Sequence, residues 1–577
     1  MRTIPNDLKK IFMTKTEAKN ELSIVSGRQK KNTDNGSCAP ISDQILLIDG
    51  LGIDPKDDTT TDTLVFGGPG TGKTFNYAQA NIAQLNTSYI IFGTSTHGSG
   101  NTLLQNTGGM LHKAGYTIWH LNFEDPDQSH RYNPLDYVYN KNGEPQAYDI
   151  VLLASTLVYN LGSGALRDMS VDETNAVSLW LAFIIMFVIC CGAQEKRNLA
   201  SVTDLTFMPW DSPHKICIKN VILKERKSNS KAKCFKLYDK FMSMYSGFDM
   251  TRITSAVRNV LQYFSTYKNR VMTSTEYAKF YNKETYIKSG DYFRETGRMP
   301  GKDLSSIDIK NIKSPKSGSK KRPAAKDTSF AGYRTLNNIS QYLMNTEKTA
   351  LFITAGKRNE PLARCFEAII YLQTKRYKNL FGDLFSKQIP LHFIMDGCYV
   401  LPDEPKDLTN QEKYNKYFYT SIISRDTTGF EELLYKRMPR KRRNILFYGS
   451  TDLKAISFMA ELIYEASSVE EKEDKREHRK QMVSKIETFL QGMEQDECIL
   501  CRAGKKAFLT KKLRFEDHPS FKESIYATGG ERYNVIINPD SVKKVIDIND
   551  LCTFLHCPPE LVTETVMELL SNGIIHT

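Results

Sequence analysis

The chain has 577 residues, 40% of them hydrophobic and 25% charged, which is the composition of a soluble globular protein rather than a disordered or fibrous one. This length exceeds what one ordinary core accommodates, so we expect roughly two to four domains. The formal net charge of +12 is compatible with a nucleic-acid or anionic-membrane partner, but charge alone identifies neither.

The N-terminal segment is polar and rich in lysine, and residues 32–37 consist of Asn, Thr, Asp, Gly and Ser. This pattern predicts a mobile arm over 1–44. The segment has no apolar stretch behind a basic start, so the sequence predicts no secretory signal. Ile45–Asp49 is the first segment with the character of a strand.

A glycine-rich stretch with the pattern G-x-x-x-x-G-K-[ST] follows the strand candidate Leu64–Phe66, and the residues after it, Phe75–Leu85, contain no Pro or Gly. A strand, this loop and a helix in succession are typical of a phosphate-binding loop, whose backbone N–H groups surround an anion. We expect the lysine to bind the β- and γ-phosphates of ATP and the threonine hydroxyl to bind Mg²⁺. The predicted nucleotide-binding residues are Gly67, Gly68, Pro69, Gly70, Thr71, Gly72, Lys73 and Thr74.

Strands and helices continue to alternate after the loop. Strand candidates at Ser88–Phe92 and Tyr116–Leu121 flank a helix candidate at Thr102–Lys113, and strand patterns resume near 350. This order predicts an α/β fold, with a P-loop NTPase core and a doubly wound, mainly parallel sheet, built from 45–144 and 346–530.

The segment between the two halves of the core has helical apolar spacing. We predict an inserted all-helical domain over 145–345, with a basic, partly disordered segment at about 283–330 that is rich in Lys, Ser, Gly and Pro. The last residues, 531–577, contain two short helix candidates. They are predicted to form a small helical module, for which a winged-helix-like fold is one option.

One apolar stretch, Ala176–Gly192, has 17 residues, which is the lower edge of the length that crosses a bilayer. Charged residues bracket it on both sides. We interpret this stretch as a buried core helix rather than a membrane span.

The 11 cysteines are scattered through apolar contexts such as Cys190–Cys191. This distribution favours the reduced, buried thiols of a cytosolic protein over a disulfide framework. The C-x-x-C pair Cys498 and Cys501 lies in an apolar run without a second pair at zinc spacing, so we interpret it as part of a buried strand.

A second chemical motif is the apolar strand candidate Leu391–Asp396, which ends in a carboxylate. P-loop enzymes hold Mg²⁺ with an acid at the end of a strand beside the loop strand, and Asp396 meets that requirement. Many hydrolysing members place Glu directly after this acid to orient the attacking water. Here the position is Gly397, so nucleotide and metal binding are predicted while hydrolysis stays open. Restoring Glu at 397 is expected to raise turnover if the rest of the site is intact.

Seven stretches between about 45 and 525 form a further pattern: Asn86–Ile91, Thr107–Leu111, Arg131–Leu135, Lys348–Phe352, His392–Asp396, Asn444–Asp452 and Asp496–Leu500. In this order they resemble the type IV secretion coupling proteins, the TraG-like family of conjugative DNA-transfer ATPases, in the form found on Gram-positive mobile elements. The sequence departs from the family pattern at Gly93–Asn101, Gly397 and Ser424–Arg425. It also has no N-terminal membrane helices of the kind common in the family.

The resemblance implies a motor that binds ATP and Mg²⁺, with Lys73 and Asp396 as catalytic residues and Thr74 and Asp396 as metal ligands. It implies a homo-oligomeric ring, for which a hexamer is one option, with Arg425 and Arg437 as candidates for the arginine that a neighbouring subunit contributes. The implied partners are DNA bound without sequence specificity, through basic loops such as 436–443, a relaxase, and components of the type IV secretion channel. The implied location is the cytoplasm, peripheral at the inner face of the cell membrane through partners.

Two classes of function stay open. One is a coupling-protein-like ATPase that recruits DNA or a relaxase–DNA complex and helps to move it to the secretion channel. The other is a catalytically impaired ATP-binding adaptor or regulator of such a machine, which Gly397 and Ser424–Arg425 favour. A third candidate, a P-loop protein of DNA packaging or chromosome translocation, accounts less well for the triplet Tyr132-Asn133-Pro134.

Overall fold

The computed structural model describes residues 3–529 and 533, apart from the segments 22, 25–44, 49–50, 54–61, 95–99, 127–128, 141–142, 163, 165, 193–195, 213–216, 275–347, 357–358, 382–388, 398–417, 425–442, 468–474 and 503–504. The chain divides into two units, Met1–Val535 and Ile536–Thr577. The predicted C-terminal module 531–577 lies outside the described residues except for Tyr533, and the predicted basic segment 283–330 lies outside them altogether.

The described strands form one large sheet and one small sheet. Their bounds, in chain order, are β1 (Ser23–Ile24), β2 (Ile45–Ile48), β3 (Leu51–Ile53), β4 (Asp62–Phe66), β5 (Ser88–Thr94), β6 (Thr117–Asn122), β7 (Thr349–Ala355), β8 (Leu391–Asp396), β9 (Phe418–Ser424), β10 (Arg443–Phe447), β11 (Glu497–Arg502) and β12 (Phe508–Lys511).

The described helices connect these strands and fill the space between β6 and β7 in the sequence. Their bounds are α1 (Lys15–Glu21), α2 (Lys73–Gln79, wound as a π-helix, continued by Ala80–Ile82), α3 (Gly100–Lys113), α4 (Ala147–Leu161), α5 (Val171–Cys191), α6 (Leu199–Phe207), α7 (Ile218–Ser228), α8 (Cys234–Tyr245), α9 (Met250–Leu261), α10 (Tyr267–Met272), α11 (Glu360–Phe381), α12 (Leu453–Ala466), α13 (Lys475–Gln491) and α14 (Ile525–Thr528).

The large sheet has the strand order β12-β11-β10-β4-β9-β8-β5-β7-β6. The pairs from β10 to β6 are parallel, whereas β11 and β12 are antiparallel and form one edge. The predicted α/β fold with a doubly wound, mainly parallel sheet is confirmed. Strand β4 is central, with β10 on one side and β9 on the other, so the loop that follows it opens at the carboxyl edge where such folds bind ligands.

Apolar side chains cover both faces of this sheet, because successive residues of a strand point to opposite sides. On β4, Leu64 and Phe66 belong to one buried cluster, and Val65 belongs to the other. Full burial of side chains of this size stabilises the fold by about 1.5–3 kcal/mol each. The loop strand is therefore held rigidly from above and below.

The predicted mobile arm over 1–44 is wrong for its described part. Leu8, Ile11 and Phe12 are buried, and the Phe12 ring lies 5.4 Å from that of Phe489. The Met13 amide donates a hydrogen bond to the Ala507 carbonyl at 2.7 Å. This segment is ordered because its few apolar residues pack beside β12; residue 22 and residues 25–44 lie outside the described residues.

Helices α4 to α10 occupy the segment predicted to be an inserted domain. Their apolar side chains, such as Leu157 and Trp180, belong to the same buried cluster as Leu64 and Phe66 of β4. The helical segment and the sheet therefore share one continuous core, and the domain bounds 145–345 stay a prediction.

Helix α5 contains the apolar stretch Ala176–Gly192. It begins with a capping box, in which the Ser170 hydroxyl accepts a hydrogen bond from the Glu173 amide at 3.2 Å and the Glu173 carboxylate accepts one from the Ser170 amide at 2.8 Å. Among the described residues it is the one helix long and apolar enough to cross a membrane, and 83% of its apolar window is buried inside the protein. This burial agrees with the interpretation as a core helix.

Candidate nucleotide site and family

The glycine-rich loop leaves β4 against the end of β10. The Gly68 amide donates a hydrogen bond to the Gly449 carbonyl at 2.8 Å. A Cβ atom at Gly67 would lie 2.9 Å from that same carbonyl oxygen, so only glycine fits this close approach. Backbone contact between the loop and Gly449 fixes the start of the phosphate loop.

Lys73 is buried at the start of α2. Its ammonium group donates hydrogen bonds to the carbonyls of Gly67 and Gly68 at 2.6 and 2.7 Å, and to the Thr71 hydroxyl at 3.3 Å. The amine therefore lies on the concave side of the loop, as the sequence predicts. Binding of a phosphate requires the amine to exchange these carbonyls for phosphate oxygens.

Thr74 and Asp396 meet at the carboxyl edge of the sheet. The Thr74 hydroxyl donates a hydrogen bond to Asp396 Oδ2 at 2.7 Å. Asp396 is buried at the end of β8. A hydroxyl and a carboxylate are hard oxygen ligands of the kind that Mg²⁺ prefers, so these two residues fit the predicted metal position.

One part of the prediction for Asp396 is wrong. Its strand, β8, does not lie beside the loop strand β4, because β9 lies between them. The carboxylate reaches Thr74 because α2 packs against β9, where the Tyr77 hydroxyl of α2 contacts the Ser421 hydroxyl of β9. A strand order cannot be obtained from the apolar pattern of each strand.

Gly397 follows Asp396 directly and is buried. Its φ is 85°, in the left-handed region that side chains with a Cβ rarely adopt. Its amide donates a hydrogen bond to the Ile423 carbonyl of β9 at 3.0 Å. The turn after β8 therefore requires a glycine at this position. The absence of a carboxylate there has a conformational reason as well.

Some of the sequence predictions fall outside the described residues. Arg425 and Arg437 lie outside the described residues, as does the basic run 436–443 except for Arg443. Ser424, one of the positions at which the sequence departs from the family pattern, is buried at the end of β9.

Lys512 contacts the phosphate loop, although no motif in the sequence predicts this contact. It follows β12, is 4% exposed, and donates hydrogen bonds to the carbonyls of Thr71 at 3.2 Å and Gln495 at 2.7 Å. Its ammonium group lies 5.2 Å from the centre of the Tyr448 ring, and burial lowers its pKa. This lysine joins the edge of the sheet to the middle of the phosphate loop.

A buried polar chain runs beneath the site through three elements. The Ser421 hydroxyl of β9 is 2.8 Å from the Tyr77 hydroxyl of α2 and 2.7 Å from His392 Nε2 of β8. Burial raises the pKa of Tyr77 to about 12 and lowers the pKa of His392 to about 3. Both groups are therefore neutral at physiological pH, and they hold α2 in register with the strand that ends in Asp396.

Residues 19–277, which include the phosphate loop and α2 to α10, match the family described as Type IV secretory system Conjugative DNA transfer. This match covers slightly less than half of the chain. It supports the resemblance to type IV coupling proteins. The match ends before β8, so the role of Asp396 is inferred from its contact with Thr74.

Three solved structures with similar architecture are bacterial conjugative coupling proteins. One is TrwBdeltaN70 in a trigonal form with sulphate, with a TM-score of 0.48 and 11% identity, covering 87% of this chain and 92% of that chain. The others are TrwB with ADP and Mg²⁺, with a TM-score of 0.46, 10% identity and coverage of 87% and 93%, and TrwB with the ATP analogue ADPNP, with a TM-score of 0.45, 10% identity and coverage of 87% and 92%. Among curated protein sequences, none matches this chain.

Proposed function

We propose that this protein binds ATP and Mg²⁺ and couples DNA, or a relaxase–DNA complex, to a type IV secretion channel. The observation that carries the nucleotide part is the 2.7 Å hydrogen bond between Thr74 and Asp396. It brings together a loop hydroxyl and a buried carboxylate, which would hold Mg²⁺, and the ion would supply positive charge to the phosphates of ATP.

The residues around this contact fit the proposed ligands. The loop from Gly67 to Thr74 supplies backbone N–H groups for the phosphates, and Lys73 supplies a cation within the loop. ATP would provide the phosphoanhydride bond whose cleavage drives movement, and Mg²⁺ would neutralise the phosphate charge. The protein's own contribution is to hold these positions rigidly through the sheet and Lys512.

A specific observation favours a second candidate, a catalytically impaired ATP-binding adaptor or regulator. The position after Asp396 is Gly397, so no carboxylate is present there to orient the attacking water. Its φ of 85° also disfavours any residue with a side chain at this position. In this case ATP would act as a structural ligand. The adaptor would dock DNA-transfer partners without moving them.

The DNA and partner assignments rest on the match of residues 19–277 to the conjugative DNA-transfer family and on the net charge of +12. We propose non-sequence-specific contacts with DNA phosphates, a ring of identical subunits, and a place in the cytoplasm at the inner face of the membrane through partner proteins.

The deciding experiment compares ATP binding with ATP turnover in the purified full chain, with and without DNA. A motor binds a fluorescent ATP analogue and shows DNA-stimulated release of phosphate, whereas an adaptor binds the analogue with no turnover. Lys73→Ala should abolish binding, and Lys480→Ala, at an exposed lysine of α13, should leave binding unchanged. Failure of the wild-type chain to bind the analogue would refute both candidates.

The DNA contact has its own test. If Lys and Arg side chains bind backbone phosphates, the affinity for unrelated DNA duplexes should be similar and should fall steeply as salt increases. An affinity that does not change with salt would refute this mode of binding.

A further inference from the structure

Helices α5 and α8 pack side by side in antiparallel directions. Aromatic rings pair along this contact. As the residue number increases along α5, the number of its partner in α8 decreases. The pairs and their centroid distances are Trp180–Phe241 at 5.0 Å, Phe183–Tyr238 at 5.2 Å and Phe187–Phe235 at 6.5 Å.

Beyond the last aromatic pair, where α5 ends and α8 begins, three cysteine thiols lie close together. Cys190 and Cys191 form the last turn of α5, and Cys234 is the first residue of α8. The thiols of Cys190 and Cys191 interact with the Cys234 thiol and raise its pKa. Cys191 and Cys234 are buried, and Cys190 is half-buried. Cys234 is thus a neighbour of the consecutive pair Cys190 and Cys191, from which it is distant in the sequence.

Among these three thiols, only Cys190 lines an adjacent cavity of about 320 Å³. Arg197, Lys231 and Lys233 line the same cavity, and Lys233 also pairs with Glu144 at 3.0 Å. The interaction with Cys234 and the positive charges of Arg197 and Lys233 lower the pKa of the Cys190 thiol, whereas the pKa of Cys234 is raised. A half-exposed thiol in an electropositive setting is the kind that reacts as a thiolate.

We propose that Cys190 is a peroxide-reactive thiol and that Cys234 resolves its oxidised form as a disulfide joining α5 to α8. The Cys190 thiolate attacks one oxygen of hydrogen peroxide, the O–O bond breaks, and the hydroxide that leaves takes up a proton to give water. The product is a sulfenic acid at Cys190. The Cys234 sulfur then attacks the Cys190 sulfur, the S–O bond breaks, and a second water leaves with the Cys234 proton.

This chemistry fits the burial of the three groups. The cavity admits a small oxidant to Cys190 alone, while the buried Cys234 reacts only with its neighbour. The part of the chain that the structure describes holds no group of three or more His, Cys, Asp or Glu side chains arranged to bind a metal ion. Redox chemistry therefore accounts for the cluster better than metal binding does. The disulfide would fix the end of α5 to the start of α8 and so stiffen the helical segment.

The test uses the reduced full chain treated with hydrogen peroxide, followed by alkylation of free thiols, proteolysis and mass spectrometry. We expect a cross-linked peptide that joins the end of α5 to Cys234 and that disappears after reduction with dithiothreitol. Before oxidation, Cys190 should be alkylated at least about tenfold faster than the buried Cys217.

Two neighbouring substitutions decide which thiol reacts. Cys191→Ser should retain the cross-link and Cys190→Ser should abolish it, while Cys234→Ser should leave a sulfenic acid at Cys190 that dimedone traps. A cross-link that persists in Cys190→Ser, or equal alkylation rates for Cys190 and Cys217 in the wild-type chain, would overturn the proposal. The wild-type rates need no variant to fold, and none of these measurements depends on nucleotide binding.

Discussion

The Thr74 hydroxyl donates a hydrogen bond to the Asp396 carboxylate at 2.7 Å, across 322 residues of sequence. The contact spans the width of strand β9, which separates the loop strand from β8. It therefore depends on the order of the strands in the sheet, which brings together the two groups that we propose as ligands of one metal ion.

We expect Thr74→Val and Asp396→Asn to weaken Mg²⁺-dependent nucleotide binding by about tenfold or more, because each removes an oxygen ligand or its charge. Thr74→Ser keeps the hydroxyl and should bind nearly as well as the wild type. Titration of a fluorescent ATP analogue, with Mg²⁺ and again with EDTA, measures the effect. Equal losses in EDTA would show that the two residues do not act through a metal.

Lys512→Met should weaken nucleotide binding by about tenfold, because the loop loses a charged hydrogen bond to the Thr71 carbonyl. The methionine keeps much of the side-chain volume beside Tyr448. The adjacent Lys511→Met is the matched control, since Lys511 is exposed and pairs with Asp496. The same titration measures both variants, and equal affinities would show that Lys512 does not support the loop.

The left-handed backbone at Gly397 changes the expected outcome of restoring a carboxylate there. Gly397→Glu should lower the free energy of unfolding by about 1–2 kcal/mol, because a Cβ at positive φ is strained. We expect the backbone strain in Gly397→Glu to offset the increase in ATP turnover that a carboxylate at this position would otherwise give. Denaturant unfolding and phosphate release measure the two effects.

Gly397→Asn is the control for this strain, since Asn tolerates the left-handed region better than Glu. It should be more stable than Gly397→Glu. A Glu variant as stable as the wild type would show that the turn adapts to a side chain.

An ion pair joins the helical segment to the core. Arg376 Nε of α11 lies 3.0 Å from Asp149 Oδ1 of α4, and the Asp149 side chain is buried. Arg376→Met should lower the free energy of unfolding by about 2 kcal/mol, because a buried carboxylate loses its cation. The double variant with Asp149→Asn should recover part of the loss. Denaturant unfolding measures all three proteins, and an unchanged single variant would show that water replaces the arginine.

The free energy of unfolding should decrease as the pH is lowered, because the buried His392 is neutral in the folded protein. Because its folded pKa of about 3 lies below the ordinary value of 6.5, the unfolded chain binds a proton more readily. His392 therefore contributes full stability above pH 6.5, and its contribution declines by about 1.4 kcal/mol per pH unit as pH falls from there towards 3.

His392→Gln should flatten this dependence, whereas the same change at the exposed His478 should not. Denaturant unfolding at several pH values between 7 and 4 provides the comparison. Equal pH profiles for the wild type and His392→Gln would show that His392 is not responsible.

The sequence by itself predicted most of the site. Local signals were sufficient for the phosphate loop, because its glycines, lysine and threonine are contiguous and their flanking strand and helix have clear patterns. The apolar run before Asp396 likewise predicted a strand that ends in a carboxylate. These features depend on residues close together in the chain, and local physical chemistry determines them.

The tertiary structure decided which of these pieces meet. It placed β9 between β4 and β8, ordered residues around Phe12 that polar composition predicted to be mobile, and brought Lys512 to the back of the loop. It also brought Cys234 next to Cys190 and Cys191 through the pairing of α5 with α8. Each of these contacts joins distant segments through packing, and neither periodicity nor motif spacing carries information about which surfaces pack against each other.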